Sequence, residues 1–250
     1  MKKGPAMDNI TNMITEGKGK RLYATENPDE AVVYYRDETF AFHGLKRGRI
    51  IGKGEINNLI CEYMFTLLTE KGVPNHFIRR LDNRCSLVKR VEIIPVTVKV
   101  RNIVAGSLAK RIGYPDGTRL KNTVVEYCLK DPELEDPLVN LTHITAMSLA
   151  TPEEIAQMET MSLRVNNVVR DCMRDINIEL IDFKLEFGRF HGKILLADEV
   201  SPDTCRFWDS RTHEPLDIDC FRHDLGNVEE AYREVLHRLT GNVLKNTGEE

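Results

Sequence analysis

Apolar and polar residues alternate along several short segments of the chain, a pattern typical of half-buried β-strands. The most regular case is residues 181–187, in which every second side chain is polar. Two earlier strand-like runs, residues 20–25 and 31–36, flank the turn-rich segment 26–29, so we expect a β-hairpin there. Further strands are predicted at residues 76–81, 86–91 and 96–104.

Helical periodicity marks three other segments. Apolar residues recur every three or four positions along residues 55–71, which predicts an amphipathic helix. A longer helix is predicted at residues 152–174, because Thr151 and Glu154 form a capping-box sequence at its start. A closing helix is predicted at residues 228–239.

The order of these elements, mostly strands first and then strands mixed with helices, predicts an α+β fold with two lobes. The chain of 250 residues is long enough to bury a sizeable core. We place the boundary near residues 93–95, which divides the chain into a β-rich lobe at residues 1–94 and an α+β lobe at residues 95–250.

The overall charge excludes some functions. A net charge of −4 and a pI near 6.0 disfavour general binding to nucleic acid or to an acidic membrane. No apolar run approaches the ~20 residues of a membrane-spanning helix, and the first residues lack the apolar stretch of a signal peptide. The six cysteines are scattered without a C-x-x-C pair, which favours free thiols in a reducing compartment. We therefore expect a cytoplasmic protein, and Met7 is a second possible initiator.

The alternating strand at residues 181–187 carries the clearest chemical signal. It places Asp182, Lys184 and Glu186 on one face. A second run at residues 193–199 is expected to return beside it and to end in Asp198 and Glu199. Clustered carboxylates suit a hard cation such as Mg²⁺. The plainer interpretation is a solvated strand face with ion pairs.

The length of the connecting loop decides which acid joins Glu186. A two-residue loop would place Glu199 on the Glu186 face, whereas a loop with an odd number of residues would place Asp198 there. We predict Asp198.

Three basic segments are candidates for binding phosphates. Glycines alternate with Lys18 and Lys20 near the N-terminus, without the spacing of a P-loop. Arg101 lies on a predicted strand, and Ser107 opens a short predicted helix whose N-terminus suits an anion. Arg206 follows a turn and can bind a phosphate or carboxylate through two hydrogen bonds. Each segment has an alternative interpretation as an exposed turn, a solvated basic patch or a structural ion pair.

Three motifs together closely resemble the SAICAR synthetase family of purine biosynthesis: residues 100–108 (VRNIVAGSL), 182–188 (DFKLEFG) and 198–209 (DEVSPDTCRFWD). The likeness runs from Gly17 to about Leu239. It implies a ligase that joins 5-aminoimidazole-4-carboxylate ribonucleotide (CAIR) to L-aspartate and converts ATP to ADP and phosphate. It also implies a two-lobed fold akin to ATP-grasp and kinase-like enzymes, with ATP between the lobes, and often a homodimer.

The resemblance also implies roles for individual residues around ATP. Lys18 and Lys20 would hold the phosphates, and the segment that contains Lys89 and Val91 would meet adenine through its backbone. The metal ligands for Mg²⁺ would be Glu186 and Asp198.

On the side of the ribonucleotide, the resemblance places Asp182 and Lys184 towards the reacting carboxylate. The 5′-phosphate would be held by Arg101, Ser107 and Arg206, with Asp203 nearby. The family often has Asp or Asn where this chain has His43, to which we assign no role.

The implied chemistry agrees with these residue types. A carboxylate reacts poorly with an amine, but phosphorylation by ATP converts it to an acyl phosphate that the amine of aspartate can attack. Phosphoryl transfer needs alignment and charge neutralisation more than a protein nucleophile. The main alternative is a small-molecule kinase with the same Mg²⁺–ATP site. A catalytically inactive nucleotide-binding module would be expected to have lost Lys184, Glu186 and Asp198, yet all three are present.

Overall fold

The computed structural model describes residues 12–41 and 45–241. Met7 and His43 lie outside the described residues. Residues 12–41 and 45–89 contain seven strands: β1 (Met13–Glu16), β2 (Lys20–Ala24), β3 (Glu30–Tyr35), β4 (Glu38–Ala41), β5 (Lys46–Arg49), β6 (Phe77–Arg80) and β7 (Cys85–Lys89). Five of them form an antiparallel sheet in the order β1-β2-β3-β7-β6, and β4 pairs with β5. The predicted β2–β3 hairpin is confirmed, with Leu22 opposite Val33.

A second antiparallel sheet follows. It contains β8 (Glu92–Ile103), β9 (Arg119–Leu129), β10 (Leu138–Val139), β11 (Ile178–Phe190), β12 (Lys193–Ala197) and β13 (Cys205–Asp209). The order is β10-β9-β8-β11-β12, and β13 pairs with the first half of β11. The central strand β11 therefore has β8 on one edge and β13 followed by β12 on the other. This arrangement brings the three motifs, at residues 100–108, 182–188 and 198–209, together around β11.

Six α-helices complete the described part of the chain: α1 (Lys53–Glu70), α2 (Ser107–Ile112), α3 (Leu141–Ala146), α4 (Pro152–Asp175), α5 (Asp219–Arg222) and α6 (Val228–Thr240). The capping box of α4 is confirmed. The hydroxyl of Thr151 accepts the N–H of Glu154 at 3.2 Å, and the Glu154 carboxylate accepts the N–H of Thr151 at 2.9 Å. This exchange satisfies two N–H groups that the helix cannot satisfy itself.

One continuous hydrophobic core joins the two sheets and the long helices. Helix α1 packs against β3, β6 and α6, whereas α4 packs against β8, β11 and β12. Buried residues from both halves of the chain, including Phe65, Ile94 and Phe187, belong to the same cluster. The α+β class is therefore confirmed. None of the helices in the described ranges is long and apolar enough to span a membrane.

The two sheets meet near the predicted lobe boundary. The first sheet ends at Lys89 and the second begins at Glu92, so a boundary at residues 94–95 lies just inside β8. Backbone hydrogen bonds also link the segment before β6 to β12, with the His76 N–H donating to Leu196 at 2.9 Å. Since α6 from the end of the chain packs on α1, the lobes share their core, and the exact division stays a prediction.

Candidate active site

The face of β11 that carries alternating polar residues lies at the centre of the site. The Lys184 ammonium is 3.6 Å from the Glu186 carboxylate and 4.0 Å from that of Asp198. Glu186 is buried, whereas the Lys184 side chain is 41% exposed. The two predicted metal ligands therefore meet at one lysine that remains accessible from solvent.

The length of the loop does not by itself decide which acid joins Glu186, because Asp198 lies near Glu186 although the loop has two residues. Phe190 pairs with Lys193, so the loop contains only His191 and Gly192. A two-residue loop would turn Asp198 away from Glu186 if the strand continued regularly. Instead, β12 ends at Ala197 and Asp198 has a left-handed backbone with φ of 62°. This conformation, which aspartate tolerates better than most residues, breaks the alternation.

The left-handed residue has a second consequence, because it lets consecutive acids reach the same cation. Lys20 of β2 forms ion pairs with both Asp198 and Glu199, the second at 2.7 Å. Ser201 donates its hydroxyl proton to the other oxygen of Glu199 at 2.7 Å. The glycine-rich hairpin is thereby attached to the end of β12.

Charges in this cluster change the pKa values of its members. Burial alone would raise the pKa of Asp198, but the positive charges of Lys20 and Lys184 outweigh burial and hold it well below its usual range. Burial opposes the charged form of Lys20, yet Asp198 and Glu199 raise its pKa. Glu199 has a raised pKa because burial and neighbouring carboxylates, first Asp203, outweigh Lys20.

The residues predicted to bind the ribonucleotide phosphate form a second cluster beside the first. Arg101 donates to Asp182 at 3.0 Å and to the Ser107 hydroxyl at 3.1 Å. Arg206 donates to the same Asp182 oxygen at 2.6 Å. Arg101 is buried and Ser107 is exposed. Asp182 therefore contacts the two arginines, whereas Lys184 contacts Glu186 and Asp198.

Asp203 lies outside this second cluster. Its carboxylate pairs with the buried Lys53 ammonium at 2.6 Å and accepts the Tyr232 hydroxyl at 2.6 Å. A methyl group added at Gly19 would lie 3.4 Å from Asp203 and 3.5 Å from Lys53. Asp203 therefore links α1 to α6 and lies close to the glycine-rich hairpin at Gly19.

The remaining predicted ATP ligands are spread along the first sheet and its exit. Lys18 is exposed in the turn between β1 and β2. The Lys89 ammonium donates to the Asn75 carbonyl at 3.2 Å, and Lys89 N–H donates to His76 at 2.7 Å. Val91 packs against Gly188, where a larger residue would collide with it. Lys89 and Val91 therefore lie where the chain passes from the first sheet to the second, whereas Lys18 lies at the β1–β2 turn.

Several residues that complete the site were not identified from the sequence. They are Lys53, Glu126, Lys130 and Asp219. Lys130 pairs with Glu186, Glu126 accepts a hydrogen bond from Arg101 at 2.6 Å, and Asp219 accepts one from Arg206 at 2.6 Å. Glu199, which pairs with Lys20, was named from the sequence as the alternative to Asp198. The four missed residues lie well apart along the chain from their partners, so no local pattern indicates them.

Magnesium was predicted at Glu186 and Asp198. Among the residues that the structure describes, no three His, Cys, Asp or Glu side chains are arranged to hold a metal by themselves. Mg²⁺ in ATP-dependent enzymes is usually held by one or two carboxylates together with phosphates and water. Two carboxylates that meet beside an accessible lysine therefore fit such an ion.

Comparisons with known proteins agree with the motifs. A family model described as SAICAR synthetase matches residues 13–239. The phosphoribosylaminoimidazole-succinocarboxamide synthase of Brevibacillus brevis is 56% identical over 231 residues, which cover 92% of this chain and 97% of the relative. The crystal structure of that synthase from Ehrlichia chaffeensis has a TM-score of 0.90 at 42% identity and covers 92% of this chain and 98% of its own. A SAICAR synthetase in complex with ADP has a TM-score of 0.89 at 41% identity, with the same coverage.

Proposed function

The chain belongs to the SAICAR synthetase family, and from this membership we propose that it is the ATP-dependent ligase that joins CAIR to L-aspartate in purine biosynthesis. The observation that carries the proposal is the match over nearly the whole chain, including every motif that forms the site. A related enzyme forms a complex with ADP, which agrees with the use of ATP. A kinase that stops after phosphoryl transfer has no comparable support.

In the proposed reaction, a carboxylate oxygen of CAIR attacks the γ-phosphorus of ATP, and the bond to the β-phosphate oxygen breaks to release ADP. The amine of aspartate then attacks the acyl phosphate, loses a proton and displaces inorganic phosphate. Both steps bring anions together, so cations must neutralise charge. We assign this role to Lys184, the lysine between Glu186 and Asp198 that solvent reaches.

The arginine cluster is proposed to hold the ribonucleotide phosphate. Ser107 presents its hydroxyl at the surface, while Arg101 and Arg206 are fixed by Asp182. Asp182 is then a positioning residue, because its carboxylate orients both guanidinium groups. Asp203 positions the glycine-rich hairpin through Lys53, so its contribution to the ribonucleotide site is indirect.

For ATP, we propose that the hairpin with Lys18 and Lys20 covers the phosphates and that the backbone near Lys89 and Val91 meets adenine. Lys18 is exposed and can move towards a phosphate, whereas Lys20 is held by two carboxylates. Lys20 therefore acts mainly by fixing the hairpin over the site.

We propose that Glu186 and Asp198 hold Mg²⁺. The ion would neutralise phosphate charge and fix the phosphate geometry. The protein's own contribution is to keep Asp198 ionised beside Lys184, as the depressed pKa of Asp198 favours.

The family assignment also supports proposals for the place of action and the assembly. We propose a cytoplasmic enzyme, which six free cysteines favour because free thiols persist in reducing compartments. We also propose a homodimer, in line with the resemblance to the family. Sedimentation equilibrium of the purified chain tests this directly, since a single species of 28.7 kDa would contradict it.

The first experiment measures ADP release with Mg²⁺ and ATP while CAIR and L-aspartate are added singly and together. The ligase proposal expects ADP in step with the amide product when both are present. ADP release with CAIR alone, and no amide after aspartate is added, would favour the kinase instead. Glu186→Gln is expected to abolish turnover, whereas Glu153→Gln, the same change on the exposed start of α4, is the matched control.

A further inference from the structure

A cavity of about 490 Å³ lies on the side of the second sheet that faces α4, away from the candidate active site. Its walls come from β8, the start of β9, the end of α4 and the start of β11. None of the residues assigned above to ATP, Mg²⁺ or CAIR lines it. The volume falls within the range of small-molecule sites.

Successive side chains of β8 point to opposite faces of the sheet, so this strand separates the candidate active site from the cavity. Arg101 points into the phosphate cluster, where it contacts Asp182. The next residue, Asn102, points the other way and exchanges hydrogen bonds with Asn166 of α4 at 2.8 and 3.1 Å. Consecutive residues of one strand thus lie in the active site and in the cavity.

The base of the cavity is polar and ordered. Asn102 also donates to the Leu180 carbonyl at 3.3 Å and accepts the Thr123 hydroxyl at 3.1 Å. Asn166 is 1% exposed, and its side-chain amide both donates to and accepts from Asn102 on the sheet. A buried network of amides of this kind is rigid once its hydrogen bonds are satisfied. It provides a fixed polar surface for a ligand.

The walls carry mostly positive charge, although the whole chain has a net charge of −4. Two of the four lining cations have acidic partners. Arg119 pairs with Glu179, and Arg174 pairs with Asp171 and Asp175 of its own helix.

The other two lining cations, Lys121 and Arg170, form no ion pair among the described residues. Lys121 belongs to β9, and Arg170 belongs to α4, where its guanidinium donates to the side-chain oxygen of Asn167 at 3.3 Å. Both are exposed and line the same cavity from different elements. An anion between them would gain charge-assisted hydrogen bonds from two walls.

We propose that this cavity is a second ligand site, which takes a small molecule that carries a phosphate group. Lys121 and Arg170 bind the phosphate, and the polar residues around the Asn102–Asn166 pair contact the hydroxyl-bearing remainder of the ligand. The proposal is independent of the reaction at the other face of the sheet. It requires only that the cavity bind a phosphate ester.

The test uses ribose 5-phosphate as the probe and amide NMR spectra of the full chain. The backbone amides of Asn177 and Ser210 serve as reporters, because both residues line the cavity and neither belongs to the phosphate cluster around Arg101. The probe is added at constant ionic strength, with chloride as the balancing anion, because non-specific attraction depends on salt. A saturable shift of both reporters is expected.

The variant Lys121→Ala/Arg170→Ala is expected to weaken this binding at least tenfold while turnover with ATP is unchanged. The control Lys71→Ala/Arg79→Ala removes the same charge from exposed positions elsewhere and is expected to change the affinity less than twofold. The proposal fails if the reporters do not shift in a saturable way. It also fails if both double variants weaken binding equally, since that result indicates a general effect of charge.

Discussion

Replacement of Lys20 by methionine tests the central claim that the glycine-rich hairpin is held by an ion-pair cluster. Lys20 is the cation shared by Asp198 and Glu199, and its side chain is only 18% exposed. Methionine keeps the length and the apolar stem of lysine but removes the charge. The substitution therefore leaves two largely buried carboxylates without their common partner.

The size of the effect depends on which partners each carboxylate retains in the variant. Asp198 still has Lys184 at 4.0 Å, whereas Glu199 forms no other ion pair within the described ranges and keeps the Ser201 hydroxyl at 2.7 Å. Loss of one partner of a buried ion pair costs about 3–5 kcal/mol. Because Asp198 retains a cation, we expect a cost at the lower end of this range: Lys20→Met should lower the free energy of unfolding by about 3 kcal/mol. Most of this cost should come from Glu199.

A double-mutant cycle separates the pair from the general effect of mutation. Glu199→Gln should restore about 2 kcal/mol in the Lys20→Met background but should not stabilise the wild-type chain. Urea unfolding followed by circular dichroism, without nucleotide or Mg²⁺, provides the four free energies. The exposed Lys18→Met is the matched control on the same hairpin and should change stability by less than about 0.5 kcal/mol.

Two outcomes would contradict an ion-pair cluster at Lys20. One is a cost below about 1 kcal/mol for Lys20→Met, which would mean that the buried cluster is solvated more than its burial indicates. The other is an identical effect of Glu199→Gln in both backgrounds, since the two residues would then be energetically independent.

The remaining predictions concern other parts of the chain. Gly54→Ala should lower the unfolding free energy by about 1–3 kcal/mol in urea, because the added methyl would lie 2.5 Å from the Tyr35 carbonyl oxygen; unchanged stability would mean that α1 shifts freely. Asp209→Asn should cost about 2 kcal/mol at pH 7, because N–H groups at residues 212 and 211 and a nearby arginine lower the pKa of Asp209 to about 2. The pKa of Asp209 is lower in the folded chain than in the unfolded chain, so the stability that its charge contributes is present above about pH 4 and is lost towards pH 2. Variant and wild type should therefore unfold alike at pH 2, and a difference that persists at pH 2 would contradict the prediction. Ser107→Ala should raise the KM for CAIR about 3- to 10-fold with kcat unchanged, as loss of one exposed hydrogen bond predicts; steady-state kinetics that show only a lower kcat would place Ser107 elsewhere.

Much of the secondary structure was determined by the sequence alone. The capping box at Thr151 and the alternation of residues 181–187 placed α4 and β11 nearly as they are, because both patterns depend on neighbouring residues. The same local patterns put Asp182, Lys184 and Glu186 on one strand face. The three long motifs were enough to indicate the family, since they too are read directly along the chain.

Tertiary structure decided which charges meet. Lys20 and Asp198 are 178 positions apart, and Lys130 and Glu186 are 56 apart, so no local pattern relates them. The left-handed backbone at Asp198 reversed the expectation from loop parity, and it brought both acids at the end of β12 to Lys20. Contacts between distant segments determine which strands pair, which residue leaves the regular conformation and which lysine is buried. A sequence pattern shows which side chains share one face of a strand. Which residues that face contacts depends on how the sheets pack.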